Sequence, residues 1–156
     1  MSLLVRHVMT EAPKTLGPPM TAQDAAGLMA QYDVGAIPIL DADAVVGLVT
    51  DRDLVLRVLA TRDDPSAIPL GDIATTAIVT ATPDMRLSDA RELMQRHRVR
   101  RLLVMKADRL VGIVSLGDLA VADPSRRAIG DTIEQISESP ETARQNAGPA
   151  IGSPRH

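Results

Sequence analysis

The stretch that decides the fold occurs twice, as VVGLVTDRDL at 45–54 and as LVGIVSLGDL at 110–119. Each copy runs through two aliphatic residues, a Gly, two more aliphatics, a hydroxyl residue, two variable positions, an Asp and a Leu. The pattern indicates a short buried strand that leads directly into a helix. A repeated motif of this kind can indicate a duplicated fold, a duplicated ligand site or only a duplicated helix start.

The repeat extends far beyond the ten-residue motif. Sliding the sequence by 65 residues aligns residues 3–57 with residues 68–122 without a gap, and 17 of the 55 aligned positions are identical. The identical pairs include Thr10/Thr75, Thr15/Thr80, Asp24/Asp89, Gly47/Gly112 and Asp53/Asp118. Self-similarity at a fixed period is typical of duplicated structural units. The sequence therefore predicts a tandem duplication.

Each copy has the same predicted order of elements. Apolar residues at helical spacing follow Pro18 and Pro83, with Thr21 and Asp24 placed to cap the first of these helices and Ser88 or its neighbours the second. Two short apolar runs joined by an Asp- and Ala-containing turn then predict a hairpin in each copy, and a further short strand is predicted at 14–16 and at 79–81. The closing segments TDRDLVLRVLA and SLGDLAVA look helical.

The fold class predicted from this order is α/β (α+β), with two tandem β-α-β-β-α repeats. One repeat alone buries too little surface to be stable, so we expect the two to pack through their sheets with pseudo-two-fold symmetry. The predicted units are residues 1–65, residues 66–124, and a C-terminal helix with a flexible tail at 125–156.

Composition excludes several classes of site. The 156 residues include no Cys, so disulfides, thiolate metal sites and a cysteine nucleophile are excluded, and no two of the three His have zinc-ligand spacing. Tyr32 is the only aromatic residue, so any bound ring must lie between aliphatic side chains. No paired carboxylates, nucleophile–base set or phosphate loop supports catalysis, and we predict a protein that is not an enzyme. The absence of a signal peptide or long apolar run predicts a cytoplasmic protein without a membrane span.

Both copies resemble CBS domains, and the tandem pair resembles a Bateman module. The resemblance is carried by residues 8–54 and 73–119 and covers about 120 of the 156 residues, as in small stand-alone two-CBS proteins of bacteria. It implies regulation through an adenosine-containing ligand (AMP, ADP or ATP, sometimes S-adenosylmethionine or NAD) bound between the repeats. It also implies a homodimer, with no catalytic cofactor and no metal.

The resemblance also assigns candidate nucleotide-binding residues. The ribose pattern, a hydroxyl residue followed three positions later by Asp, falls on Thr50 and Asp53 and on Ser115 and Asp118. The family's base-lining strand falls on 36–39 and 101–104, and its first-strand hydroxyl on Thr15 and Thr80. The complete set is Lys14, Thr15, Ala36, Ile37, Pro38, Thr50, Arg52, Asp53, Thr80, Arg101, Leu102, Ser115 and Asp118.

The same motif has a simpler explanation that needs no ligand. Thr-x-x-Asp and Ser-x-x-Asp are also capping-box pairs, in which the hydroxyl and the carboxylate satisfy free backbone N–H groups at a helix start. The two explanations are compatible, because a cap can be given up when a ribose arrives.

The two copies differ where a ligand would lie. The first keeps Gly35 and Ala36, whereas the second has Arg100 and Arg101 in their places, and Gly117 stands where the first has Arg52. The cleft at Asp53 therefore matches the family pattern, whereas Arg101 either binds phosphate or fills the cleft at Asp118.

The predicted function is a nucleotide-sensing regulator that acts on an unknown protein partner. The alternative is a ligand-free interaction scaffold that regulates a partner or serves in a stress response. The basic run RHRVRR at 96–101 allows a third hypothesis, nucleic-acid binding, which the lack of stacking aromatics and the net charge of −3 argue against.

Overall fold

The computed structural model describes residues 2–122, and the helix and tail predicted for 125–156 lie outside them. The strands are β1 (Thr10–Glu11), β2 (Ala36–Asp41), β3 (Ala44–Thr50), β4 (Thr80–Ala81), β5 (Arg101–Lys106) and β6 (Arg109–Ser115). The helices are α1 (Val5–Val8), α2 (Ala22–Tyr32), α3 (Asp51–Leu54), α4 (Leu70–Ile73), α5 (Leu87–His97) and α6 (Leu116–Ala122). A π-helical turn at Val55–Leu59 continues α3, and a 3-10 turn lies at Pro65–Ala67.

The two longest helices begin differently. Asp24 Oδ2 accepts hydrogen bonds from the backbone N–H and the hydroxyl of Thr21, both at 2.9 Å, as the sequence predicts for α2. The bond from the backbone N–H, followed by that from the hydroxyl, lowers the pKa of Asp24. The start of α5 has no side-chain cap, since Arg86 occupies the cap position and Ser88 lies inside the helix. The predicted cap at Ser88 is therefore wrong.

Each predicted hairpin forms with a two-residue turn. The turns at Ala42–Asp43 and Ala107–Asp108 have positive φ at both residues, which is the backbone twist that closes a tight hairpin. Strand β4 runs parallel to β5, with Thr80 opposite Leu103. Its counterpart in the first repeat is reduced to one parallel bridge between Leu16 and Ile39.

The leading segment of each repeat completes the sheet of the other repeat. Strand β1 pairs antiparallel with β6, with Thr10 opposite Ile113. The equivalent pair, shifted by one repeat, joins Leu48 to Thr75 through two backbone hydrogen bonds of 2.9 Å. This reciprocal exchange is the pseudo-two-fold symmetry that the duplication predicts.

The two hydrophobic cores follow the exchange. Val5 on α1 is fully buried against the second repeat, together with Met94 and Leu102. Leu70 on α4 is fully buried against the first repeat, together with Ile37. The ranges 1–65 and 66–124 stay a prediction about units of sequence, because each core draws a helix from the other unit.

The motif glycines lie where the exchanged segments cross the sheets. A Cβ on Gly47 would lie 2.8 Å from Ala74 Cβ, closer than real Cβ atoms approach, and 3.1 Å from the carbonyl oxygen of Thr75, a tight contact. A Cβ on Gly112 would meet the side chain of Met9 and the carbonyl oxygen of Thr10. No glycine among residues 2–122 has a positive φ, so close packing, and not backbone conformation, requires Gly at these positions.

We expect Gly47→Ala to lower the free energy of unfolding by about 1–3 kcal/mol, because the new methyl group overpacks against a backbone that cannot rotate away. The matched control is Gly27→Ala on α2, where an added Cβ meets nothing within 4 Å. That control should raise the free energy by about 0.5–1 kcal/mol, since Gly is a poor helix former. Urea unfolding of the two variants measures both values, and a neutral Gly47→Ala would contradict the close crossing.

Candidate functional site

The repeated motif ends in the same capping geometry in both repeats. Asp53 Oδ2 accepts a 2.9 Å hydrogen bond from the backbone N–H of Thr50, and Thr50 Oγ1 accepts a 3.2 Å bond from the N–H of Asp53. Ser115 and Asp118 make the equivalent bonds at 2.8 and 3.1 Å. The capping explanation of the motif is therefore confirmed, and both carboxylates are held at the start of a helix.

Within residues 2–122, Asp53 has a further contact that Asp118 does not make. Arg57 Nε lies 3.8 Å from Asp53 Oδ1, and Arg57 Nη1 donates a 3.0 Å hydrogen bond to the carbonyl oxygen of Ile73. Ile73 belongs to the exchanged helix α4, so Arg57 connects the motif carboxylate to the neighbouring repeat. The position equivalent to Arg57 in the second repeat is Ala122, which can make neither contact.

A cavity of about 790 Å³ lies between the repeats, at the ends of β3 and β6. This volume falls within the range of small-molecule sites. Residues of both repeats line the cavity: Leu48, Thr50, Asp51, Arg52, Asp53, Thr75, Ala77, Ile78, Val79, Arg98, Val99, Arg100, Arg101, Ser115, Leu116, Gly117 and Ala120. The wall thus combines aliphatic side chains, two carboxylates and four guanidinium groups.

The cavity gathers part of the predicted nucleotide-binding set. Thr50, Arg52, Asp53, Arg101 and Ser115 line it, whereas the other eight residues of the set do not. Those eight are Lys14, Thr15, Ala36, Ile37, Pro38, Thr80, Leu102 and Asp118.

The residues outside the cavity wall have identifiable places. Ile37 and Leu102 are fully buried in the two cores. Lys14 Nζ lies 4.4 Å from the centroid of the Tyr32 ring, a cation–π contact on the first repeat. The backbone N–H of Asp118 donates a 3.1 Å hydrogen bond to the Ser115 hydroxyl in the cap at the start of α6.

Sequence reasoning missed several wall residues as site candidates. Ala77, Ile78 and Val79 belong to the segment that leads into β4, and no chemical motif marks them. In the sequence, Arg98 is marked only by the basic run at 96–101, and Arg100 also by its place opposite Gly35 of the first repeat. Their position is fixed by the end of α5, where Arg98 is left-handed with φ 54°, and by a 2.8 Å hydrogen bond from the N–H of Leu116 to the carbonyl oxygen of Arg100.

Opposite charges approach each other across the boundary between the repeats. An ideal Cβ on Gly35 would lie 3.1 Å from Asp51 Oδ2 and 3.2 Å from Arg101 Nη2. The Arg101 side chain of the second repeat therefore approaches Gly35 of the first, the residue that the Asp51 carboxylate also approaches. Arg101 lines the cavity and is partly exposed, so the two roles expected of it, phosphate binding or filling the cleft, stay predictions.

Residues 2–122 contain neither a metal-binding cluster nor a membrane-spanning helix. No group of three or more His, Asp or Glu side chains there could hold a metal ion. No helix in the same part of the chain is both long and apolar enough to cross a bilayer.

Comparison with known proteins identifies the repeats. The family model described as CBS domain matches residues 5–60 and again residues 70–125. The chain belongs to the CBS domain family. The family resemblance and the fold class predicted from the sequence are both confirmed, because tandem CBS proteins of known structure share this arrangement.

Individual CBS relatives cover most of the chain. The CBS domain-containing protein YhcV of Bacillus subtilis is 41% identical over 133 residues, which are 85% of this chain and 94% of that protein. A solved structure of Hypoxic Response Protein I with two coordinated zinc ions has 33% identity and a TM-score of 0.69, and covers 78% of this chain and 100% of its own. The hexameric CBS-CP12 protein of bloom-forming cyanobacteria has 26% identity and a TM-score of 0.72, covering 92% and 90%.

We expect Asp53→Ala and Asp118→Ala each to cost about 1 kcal/mol of unfolding free energy, because each removes one carboxylate cap from a CBS helix start. Asp53→Ala should cost more, by up to about 1 kcal/mol, since it also removes the ion pair with Arg57. Urea unfolding without nucleotide measures both values.

The control is the same pair of variants in an Arg57→Ala background. The excess cost of Asp53→Ala should disappear there, because the ion pair is already absent. An excess that persists in that background would show that Arg57 is not its source.

Proposed function

We propose that this CBS pair is a non-enzymatic regulatory protein that binds an adenosine-containing ligand in the cavity between its repeats. The observation that carries the proposal is one cavity that joins Thr50 and Asp53 of the first repeat to Ser115 and Arg101 of the second. A charged, hydrogen-bonding wall combined with an aliphatic one is the composition that a nucleoside ligand requires.

The roles follow from the chemistry of each wall. The Asp53 carboxylate would accept hydrogen bonds from the ribose hydroxyls, exchanging its bond to the Thr50 N–H for charge-assisted bonds to the ligand. Thr50 and Arg52 would hold the phosphate end. Ile78 and Val79 offer the aliphatic surface that a base needs in a chain with no stacking aromatics near the cavity.

Regulation would arise by linkage between the ligand and a partner protein. A ligand that contacts both repeats favours the relative arrangement of the repeats in which it can bind the cavity walls of both at once. A partner that prefers the same arrangement is then bound more tightly in the presence of ligand, and the ligand more tightly in the presence of the partner. Arg57 contacts both Asp53 and the exchanged helix α4. It would therefore couple ligand binding at Asp53 to the relative arrangement of the repeats.

A ligand-free scaffold is the second candidate, and one observation favours it. Asp53 and Asp118 already have hydrogen-bond partners within their own caps. Within residues 2–122, no buried side-chain nitrogen or oxygen lacks a hydrogen-bond partner. The polar groups of the motif are therefore satisfied without a ligand.

Thermal unfolding with AMP, ADP, ATP, S-adenosylmethionine and NAD separates the two candidates. A ligand at 100 times its dissociation constant should add about 2.7 kcal/mol of stability, a rise of several degrees in Tm. We expect one of these compounds to raise the Tm of the wild type and of Asp118→Ala but not of Asp53→Ala. Failure of all five at millimolar concentration would favour the scaffold.

We also propose that the protein is a homodimer, located in the cytoplasm. The support is an apolar surface on the helical turn after α3, where Val55, Leu56 and Leu59 are 51%, 47% and 65% exposed. Exposed aliphatic side chains that lie together are typical of surfaces that associate.

Sedimentation of the wild type should give twice the monomer mass, and Leu56→Glu with Leu59→Glu should give the monomer, because charges in an apolar interface are left unpaired. The matched control is Leu3→Glu with Met20→Glu, at two residues that are 43% and 40% exposed and lie outside this turn. A wild type that sediments as a monomer would overturn the homodimer.

A further inference from the structure

We infer that the cavity between the repeats selects its ligand by the number of phosphate groups, and binds adenosine di- and triphosphates more tightly than the monophosphate or adenosine. The inference rests on the proposed function and adds the class of nucleotide that the site prefers. Four arginines carry it, Arg52 from the first repeat and Arg98, Arg100 and Arg101 from the second, all of which line the same cavity.

The two carboxylates of the cavity wall offset half of this charge. Asp51 Oδ1 accepts a 2.8 Å hydrogen bond from the backbone N–H of Arg52. Asp53 is held by the Thr50 N–H and lies 3.8 Å from Arg57, a cation that does not line the cavity. Four guanidinium groups and two carboxylates leave the lining residues with a formal charge of +2. Positive charge is concentrated at this cavity although the chain as a whole carries a net charge of −3.

The fold does not require the three arginines of the second repeat. The equivalent residues of the first repeat are Asp33, Gly35 and Ala36, and they build the same turn. Asp33 is left-handed with φ 53°, as Arg98 is with φ 54°. The Asp51 N–H donates to the Gly35 carbonyl oxygen at 2.9 Å, as Leu116 does to Arg100.

The same backbone thus forms without any cation at these three positions. The turn does not need these three arginines, yet they bring three positive charges to the cavity wall. An anion that occupies the cavity would explain their presence. An Arg guanidinium offers a planar fork of N–H donors suited to phosphate oxygens.

The arrangement favours a chain of phosphates over a single one. Arg52 approaches from one repeat and Arg98, Arg100 and Arg101 from the other, and Gly117, the counterpart of Arg52, leaves the facing position without a side chain. A monophosphate satisfies few of these donors. Each further phosphate brings additional charged oxygens to them, and hydrogen bonds between charged partners are stronger than those between neutral ones.

The test is titration calorimetry of the full chain with adenosine, AMP, ADP, ATP and inorganic triphosphate, without divalent cations. We expect the affinity to rise about tenfold with each added phosphate, and the rise to shrink in 0.5 M NaCl, where the Debye length is only a few ångströms. The Arg98→Gln/Arg100→Gln double variant should lose most of this rise and keep the wild-type affinity for adenosine.

A matched control removes the same charge elsewhere. Arg62→Gln/Arg109→Gln changes two exposed arginines that do not line the cavity and should keep the wild-type series. Thermal unfolding without ligand checks that both double variants fold.

Each outcome decides one of the two proposals. Phosphate selection is overturned if the wild type binds adenosine and ATP with equal affinity. It is also overturned if the affinity of the Arg98→Gln/Arg100→Gln variant rises with each phosphate as much as that of the wild type. Either result leaves adenosine binding in place. If no adenosine compound binds while inorganic triphosphate does, and the double variant loses it, the anion site stands and the proposed adenosine function fails. If nothing binds, both fail.

Discussion

The close crossing of backbone at the two motif glycines is the constraint on which the rest of the structure depends. Because Gly47 and Gly112 carry no Cβ, the segments at Ala74–Thr75 and Met9–Thr10 can approach the opposite repeat closely enough to pair with it. Helices α1 and α4, which immediately precede those segments in the chain, pack into the two cores. The cavity then lies between two halves that are joined by backbone hydrogen bonds, and not merely by side-chain packing.

The frame of the molecule is symmetric, whereas its cavity is not. The antiparallel hairpins, their two-residue turns and the hydroxyl–Asp caps of α3 and α6 recur with the 65-residue shift. The differences in charge between the two repeats include several positions at the cavity and next to it. Arg52 corresponds to Gly117, Arg57 corresponds to Ala122, and the arginines at the end of α5 correspond to an uncharged or acidic turn. A duplicated scaffold can therefore hold one ligand asymmetrically.

What could be predicted from the sequence was the local structure. The period of apolar residues gave α2 and α5, the hydroxyl–Asp spacing gave the caps at Thr50 and Ser115, and the turn residues gave the hairpins, because each depends on neighbours a few positions away. The exchange could not be predicted, since a repeat period does not say which half a segment completes. The wall at Ala77–Val79 was missed for the same reason, and Lys14 contacts Tyr32 through a geometry that no motif encodes.

The exchange also sets the order in which this chain can fold. Thr10 has no strand to pair with until Ile113 has been synthesised, and the first repeat lacks Leu70 and Ile73 until the second has begun. Contacts between residues so distant in sequence carry a large loop-closure entropy and slow the folding of small domains. On the ribosome, the first repeat therefore emerges with part of its apolar surface uncovered. Its N-terminal arm can pair only after the chain has emerged as far as Ile113 of the 156 residues.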